Sequence, residues 1–143
     1  ERIYSERDDV WFCSDRCAER YGYYYIDSAS DYVQEDDFSY SEIDGEDLVT
    51  DRTDCVWARY STTYDDVTIA YEDSCVYVES RNEWWDADLC CEDVHGNFFV
   101  DDLDGDKYID YNGENYPINE CVEVDEEWIP INMVEMYAVD RIA

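Results

Sequence analysis

Cys13 and Cys17, in Trp11-Phe12-Cys13-Ser14-Asp15-Arg16-Cys17, are the residues of this 143-residue chain whose type and spacing most directly offer chemistry. Two thiolates at this spacing reach one metal ion and supply half of a closed tetrahedral zinc site, which takes four ligands. The other cysteines are Cys55, Cys75, Cys90, Cys91 and Cys121, and the one histidine is His95. Seven thiols is an odd number, so they do not all pair within the chain, and spacing alone does not give a connectivity. Cys90 and Cys91 on successive strand positions point to opposite faces, which argues against a bond between them.

Other chemistry is sparse. Asp101-Asp102-Leu103-Asp104-Gly105-Asp106 has the look of a calcium loop. Aligning Gly105 with the loop glycine puts Val100 and Tyr111 at the first and twelfth ligand positions, where carboxylates belong, so an Asp-Gly turn with acidic flanks is the better reading. There is no glycine-rich phosphate loop and no nucleophile elbow. With 40 acidic residues, carboxylate pairs occur everywhere and none stands out as an acid/base couple. The expectation is a protein without catalytic or cofactor-binding residues, not an enzyme.

Charge dominates the composition. Forty acidic residues against nine basic ones give a formal net charge of −31. Such a charge repels itself in the compact state and needs either screening or a cationic partner. Asp outnumbers Glu by 24 to 16, and Lys107 is the lone lysine, a balance like that of proteins from salt-loving organisms. Fifteen Tyr and five Trp are interleaved with the acid along the whole length, unlike a disordered acidic tail. Direct binding to nucleic acid is disfavoured, because phosphate contacts need Lys and Arg. No apolar run is long enough to span a membrane.

The elements that must position these residues are short strands. Asp44-Gly45, Asp104-Gly105 and Asn112-Gly113 are two-residue hairpin signals, with Arg81-Asn82 and His95-Gly96 as weaker ones. Between them run aromatic and β-branched segments such as Phe98-Phe99-Val100 and Cys121-Val122-Glu123-Val124. Pro117 and Pro130 suggest strand starts or edges. Ser14 is placed to cap a short helix over Asp15 to Arg20.

The segments also repeat. Ile3-Tyr4-Ser5-Glu6 leading to Trp11-Phe12 is matched 73 residues later by Val76-Tyr77-Val78-Glu79 leading to Trp84-Trp85. Pro117-Ile118-Asn119 is matched by Pro130-Ile131-Asn132. A looser unit is two large apolar residues, two variable, Asp or Asn, one variable, then Cys or an apolar residue. In it Cys55, Cys75, Cys90 and Cys121 take the place of Phe38 and Val134, which reads them as small core residues. The predicted fold is mainly β, an antiparallel hairpin repeat or meander with one short N-terminal helix. Residues 1–30 form a Cys-knuckle-like segment and residues 31–143 the degenerate hairpin repeats, together one continuous domain whose neighbouring units share a core.

Residues 11–21 resemble the zinc knuckle of YHS- and TRASH-type treble clefs: an aromatic, Cys-Ser-x-x-Cys, and an aromatic four residues on. The resemblance implies zinc held by Cys13 and Cys17, with two further ligands from Cys90, Cys91, Cys121 or His95, or from chain preceding Glu1. The repeat offers the alternative of a decayed knuckle, since Asp86 stands where Cys13 does in the matching copy. Ribbons such as Tyr40-Ser41-Glu42-Ile43-Asp44-Gly45-Glu46, strung with Cys knuckles, look like acidic hairpin-repeat proteins of tailed phages and haloviruses. That resemblance implies a viral source, with the virion or the host cytoplasm as location.

These readings converge on a structural or interaction protein, a virion or assembly component whose partners are proteins within a larger assembly or proteins with a basic surface. Two alternatives are a DNA mimic that occupies the groove of a basic nucleic-acid-binding protein, and a zinc-stabilised binding module.

Overall fold

Short strands pair with their immediate successors along the chain, because each aromatic, β-branched run is followed within a few residues by a turn that reverses it. The computed structural model describes residues 2–134. Over them the chain forms eight antiparallel hairpins. They are β1 (Ile3–Ser5) with β2 (Val10–Phe12), β3 (Tyr23–Ile26) with β4 (Asp31–Gln34), and β5 (Phe38–Tyr40) with β6 (Asp47–Val49). Next come β7 (Cys55–Arg59) with β8 (Val67–Tyr71), β9 (Cys75–Val78) with β10 (Glu83–Asp86), and β11 (Cys90–Glu92) with β12 (Phe98–Val100). The last two are β13 (Tyr108–Tyr111) with β14 (Glu114–Pro117) and β15 (Cys121–Val124) with β16 (Glu127–Pro130). Helix α1 (Asp15–Arg20) follows the first hairpin. The fold is mainly β, as the turn punctuation predicts.

The looser sequence unit has a structural meaning. Its variable-Asp-variable stretch is one turn of 3-10 helix, at Glu35–Asp37, Glu72–Ser74, Ala87–Leu89, Ile118–Glu120 and Ile131–Met133. Gln34 and Asp86 cap such turns through their side chains, accepting from Asp36 N and Asp88 N. The Cys or apolar residue that ends the unit opens the next hairpin, facing the residue that closes it: Phe38 opposite Val49, Cys75 opposite Asp86, Cys121 opposite Pro130. Pro117 and Pro130 thus end strands, where the 3-10 turn begins and a missing N–H costs no ladder bond.

The 73-residue correspondence is geometric as well. Tyr4 faces Trp11 with ring centroids 4.5 Å apart, and Tyr77 faces Trp84 at 5.5 Å. The Tyr4 hydroxyl donates to Asp9 and the Tyr77 hydroxyl to Asn82, and both acceptors hold left-handed backbone at the turn (φ 53° and 54°).

Two of the sequence's turn signals work otherwise. Asp44-Gly45 lies in a wider loop, closed by Ser41 N donating to Glu46 O. The loop is wide because the Asp44 carboxylate reaches the next hairpin, accepting from Tyr71 N at 2.8 Å and Ser74 Oγ at 2.5 Å. Asp104-Gly105 is not a hairpin turn. Asp104 ends a second short helix, α2 (Asp101–Asp104), and Gly105, with φ −58°, starts a 3-10 turn that links two hairpins. Asp104 is held there by the Arg81 guanidinium at 2.8 Å.

A turn that the sequence does not signal joins β15 and β16. Asp125 and Glu126 both have positive φ, 53° and 70°, in a two-residue connection that favours glycine. Replacing Glu126 with Gly is expected to stabilise the chain by about 1 kcal/mol by removing the left-handed penalty. A rise in the urea midpoint checks it, and a fall counts against the turn geometry.

No hairpin has two faces to close on itself, so the core is a row of small clusters between neighbours. Ile26, Val33 and Val49 form one, Ala58, Ala70 and Cys75 another, and Val78, Trp85 and Val100 a third. β7 also pairs in parallel with β10 at Ala58–Trp84 and Arg59–Trp85, joining two hairpins into a four-stranded sheet. Buried polar residues stitch other neighbours: Ser5 Oγ donates to Tyr32 O at 2.7 Å, and Thr68 Oγ1 to Tyr40 O at 3.2 Å. The hairpin β3–β4 straddles residue 30, and Glu6 N and Arg7 N both donate to the Asp31 carboxylate.

Candidate functional site

Cys13 lies just beyond β2, and Cys17 lies on α1. Ser14 caps the helix, its hydroxyl accepting from Cys17 N at 3.2 Å, as its position before Asp15 predicts. The Cys13 thiol is exposed, and the Cys17 and Ser14 side chains beside it hold it below the ordinary thiol value. Among the described residues, no group of three or more Cys, His, Asp or Glu side chains is arranged to hold a metal ion. Among the described residues the two thiols stand as a pair, half of the four-ligand set that closed zinc coordination requires.

The remaining cysteines open or line hairpins. Cys75 and Cys121 are buried; Cys55, Cys90 and Cys91 are half-buried; no disulfide joins any of the seven. Burial pushes the Cys55 thiol up to about 11, and those of Cys75 and Cys90 up to about 12. Thiols so raised are poor nucleophiles, because the thiolate is the reactive form. In the native protein near neutral pH, iodoacetamide is expected to alkylate Cys13 first, with Cys75 and Cys90 reacting only after unfolding. Peptide mapping of a time course checks the order, and early labelling of Cys75 would contradict the packing.

His95 lies in the turn between β11 and β12, and its Nε2 sits 2.8 and 2.9 Å from the two Glu120 oxygens. The Glu120 carboxylate raises its proton affinity, favouring imidazolium. The pair borders a cavity of about 540 Å³ that also touches Tyr116, Pro130 and Ile131. Asp101 and Asp102 lie on α2 and Asp106 in the turn after it, so the calcium-like sequence is spread over a helical linker.

The surface is the more distinctive feature. Trp11, Tyr21, Tyr25, Tyr40, Trp57 and Tyr64 are all about half exposed or more. Five of the nine basic residues are engaged in ion pairs: Arg7 with Asp51, Arg52 with Asp54, Arg59 with Glu83 and Asp65, Arg81 and Lys107 with Asp104. These pairs neutralise a small share of 40 acidic residues, so aromatic rings stand in a strongly negative field.

One aromatic cluster escaped the sequence reading. Tyr23, Tyr24 and Tyr25 follow α1 directly, and a cavity of about 340 Å³ is lined by these three, Tyr32, Asp15 and Glu19. The signal was available in two parts: Asp15 and Glu19 four residues apart on a helix, and a run of three tyrosines after it. What joins them is the packing of α1 on β3.

Comparison of the chain with family models, with curated proteins and with solved structures returns no match.

Proposed function

We propose that this chain is a non-enzymatic interaction protein whose acidic, aromatic hairpin faces bind a basic protein surface within an assembly. The observation that carries the reading is the coexistence of exposed rings with a net charge of −31, on a chain five of whose nine basic residues are tied up in internal pairs. Cationic side chains are attracted to aromatic faces and to carboxylates alike, so one surface offers both affinity and orientation. The resemblance of the ribbon to acidic hairpin-repeat proteins of tailed phages and haloviruses supports placing this role in a virion or its assembly.

Light scattering across a salt series, with the chain alone and mixed with a histone octamer, tests the reading. A defined complex that forms at low salt and dissolves at molar salt supports it, since charge-driven association weakens as screening grows. Monomeric chain in every mixture and at every salt overturns it. If added duplex DNA displaces the chain from the histones, the narrower reading as a DNA mimic gains support.

A further inference from the structure

The cavity beside α1 has the chemistry of a cation site. Asp15 and Glu19 lie one turn apart on α1, so their carboxylates share a face. Tyr23 and Tyr25 share a face of β3, and Tyr32 is the cross-strand partner of Tyr25, with ring centroids 5.3 Å apart at 67°. Two of the rings are fixed by their own hydroxyls: Tyr32 donates to the Asp15 carboxylate, and Tyr23 donates to Asp8 at 2.7 Å. The cavity's lining holds four phenols and two carboxylates and no Lys or Arg. Tyr25 is 51% exposed, which leaves the rim open to a side chain from another molecule.

We propose that this pocket takes the guanidinium of an arginine side chain from a basic protein partner, stacked on the face of Tyr25 beside Tyr32 and paired with Asp15 or Glu19. A guanidinium fits better than an ammonium. It is planar, more weakly hydrated, and presents donors in a fork that matches a carboxylate while its face lies on a ring. This deepens the reading of the chain as a binder of basic surfaces, and rests on it.

The test is NMR titration of the tyrosine ring resonances with N-acetyl-arginine amide, its neutral citrulline counterpart and N-acetyl-lysine amide. The arginine amide is expected to move Tyr23, Tyr25 and Tyr32 saturably, lysine amide to bind more weakly, and citrulline amide not to bind. Tyr25→Ala and Glu19→Gln are each expected to weaken arginine binding by about three- to tenfold. Glu19 lies exposed on the helix, so Glu19→Gln serves where the tyrosine variant does not fold. Citrulline binding as tightly as arginine, lysine binding equally well, or unchanged affinity in both variants overturns the proposal. The two readings fail separately: a histone complex that forms while the arginine amide leaves these rings unmoved removes the pocket alone. An arginine amide that binds while no basic protein does removes the broader function alone.

Discussion

Truncating Trp85 to alanine is expected to cost about 3–5 kcal/mol, the range for deleting a large buried aromatic. Trp85 is 2% exposed and packs with Val78 and Val100, so it fills the space between the fifth and sixth hairpins. Its indole Nε1 donates to Glu83 Oε1 at 2.9 Å, while Glu83 Oε2 accepts from Arg59 Nε at 2.7 Å. The Arg59 guanidinium lies 6.0 Å from the indole ring. Removing the indole therefore opens a cavity and strips a partner from a carboxylate that β7 and β10 share. Folded domains are stable by about 5–15 kcal/mol, so the variant forfeits a large part of the whole. Urea unfolding measures it. Trp57→Ala, on β7 and 49% exposed, is the control and should cost far less. Equal costs for the two would mean that the cluster does not carry the core.

Asp104→Asn is the second large effect, expected at about 2 kcal/mol at neutral pH. Asp104 is 6% exposed and accepts from Arg81 Nε at 2.8 Å and Arg81 Nη2 at 3.1 Å, with Lys107 Nζ at 3.3 Å. Breaking a fully buried pair costs about 3–5 kcal/mol; here Arg81 keeps partial access to water, which lowers the loss. The Arg81 guanidinium, then the Lys107 ammonium, hold the Asp104 carboxyl below its ordinary 3.8. A depressed carboxyl gives stability that is full above its unfolded value and lost as pH falls through its folded value. The difference between wild type and Asp104→Asn should therefore be constant from neutral pH down to about 4 and shrink below it. Comparing the two chains removes the shared effect of discharging the other carboxylates. A difference that shrinks already near neutral pH would remove Asp104 from the pair.

The N-terminal turn of α1, the hairpin at Asn112-Gly113 and the equivalence of Tyr4–Trp11 with Tyr77–Trp84 are legible in the sequence, because each is specified by residues a few positions apart. Ser14 needs only Cys17 N within reach, and Asn112 and Gly113 need only tolerate positive φ. Asp44-Gly45 and Asp104-Gly105 misled because their aspartates answer to distant groups: Tyr71 and Ser74 for one, Arg81 for the other. The turn at Asp125-Glu126 was silent because Glu carries no left-handed preference, and the ladder around it fixes the geometry. The repeat reads Cys55, Cys75, Cys90 and Cys121 as small core residues, and Cys75 and Cys121 are buried, while Cys55 and Cys90 at equivalent positions are half-buried. The tyrosine pocket was not, since it depends on how α1 lies against β3.

The side-chain hydrogen bonds between hairpins described above reach at most 44 residues along the chain, the span from Arg7 to Asp51. Bonds of this reach close only short stretches of chain, so neighbouring hairpins dock at a modest loop-closure cost. On the ribosome, the first hairpin has its Ser5 and Arg7 partners, Tyr32 and Asp51, once the third hairpin and the few residues after it have emerged. Synthesis of this protein can therefore proceed as serial docking, each new hairpin closing on one already in place, so that little apolar surface waits uncovered in the crowded cell.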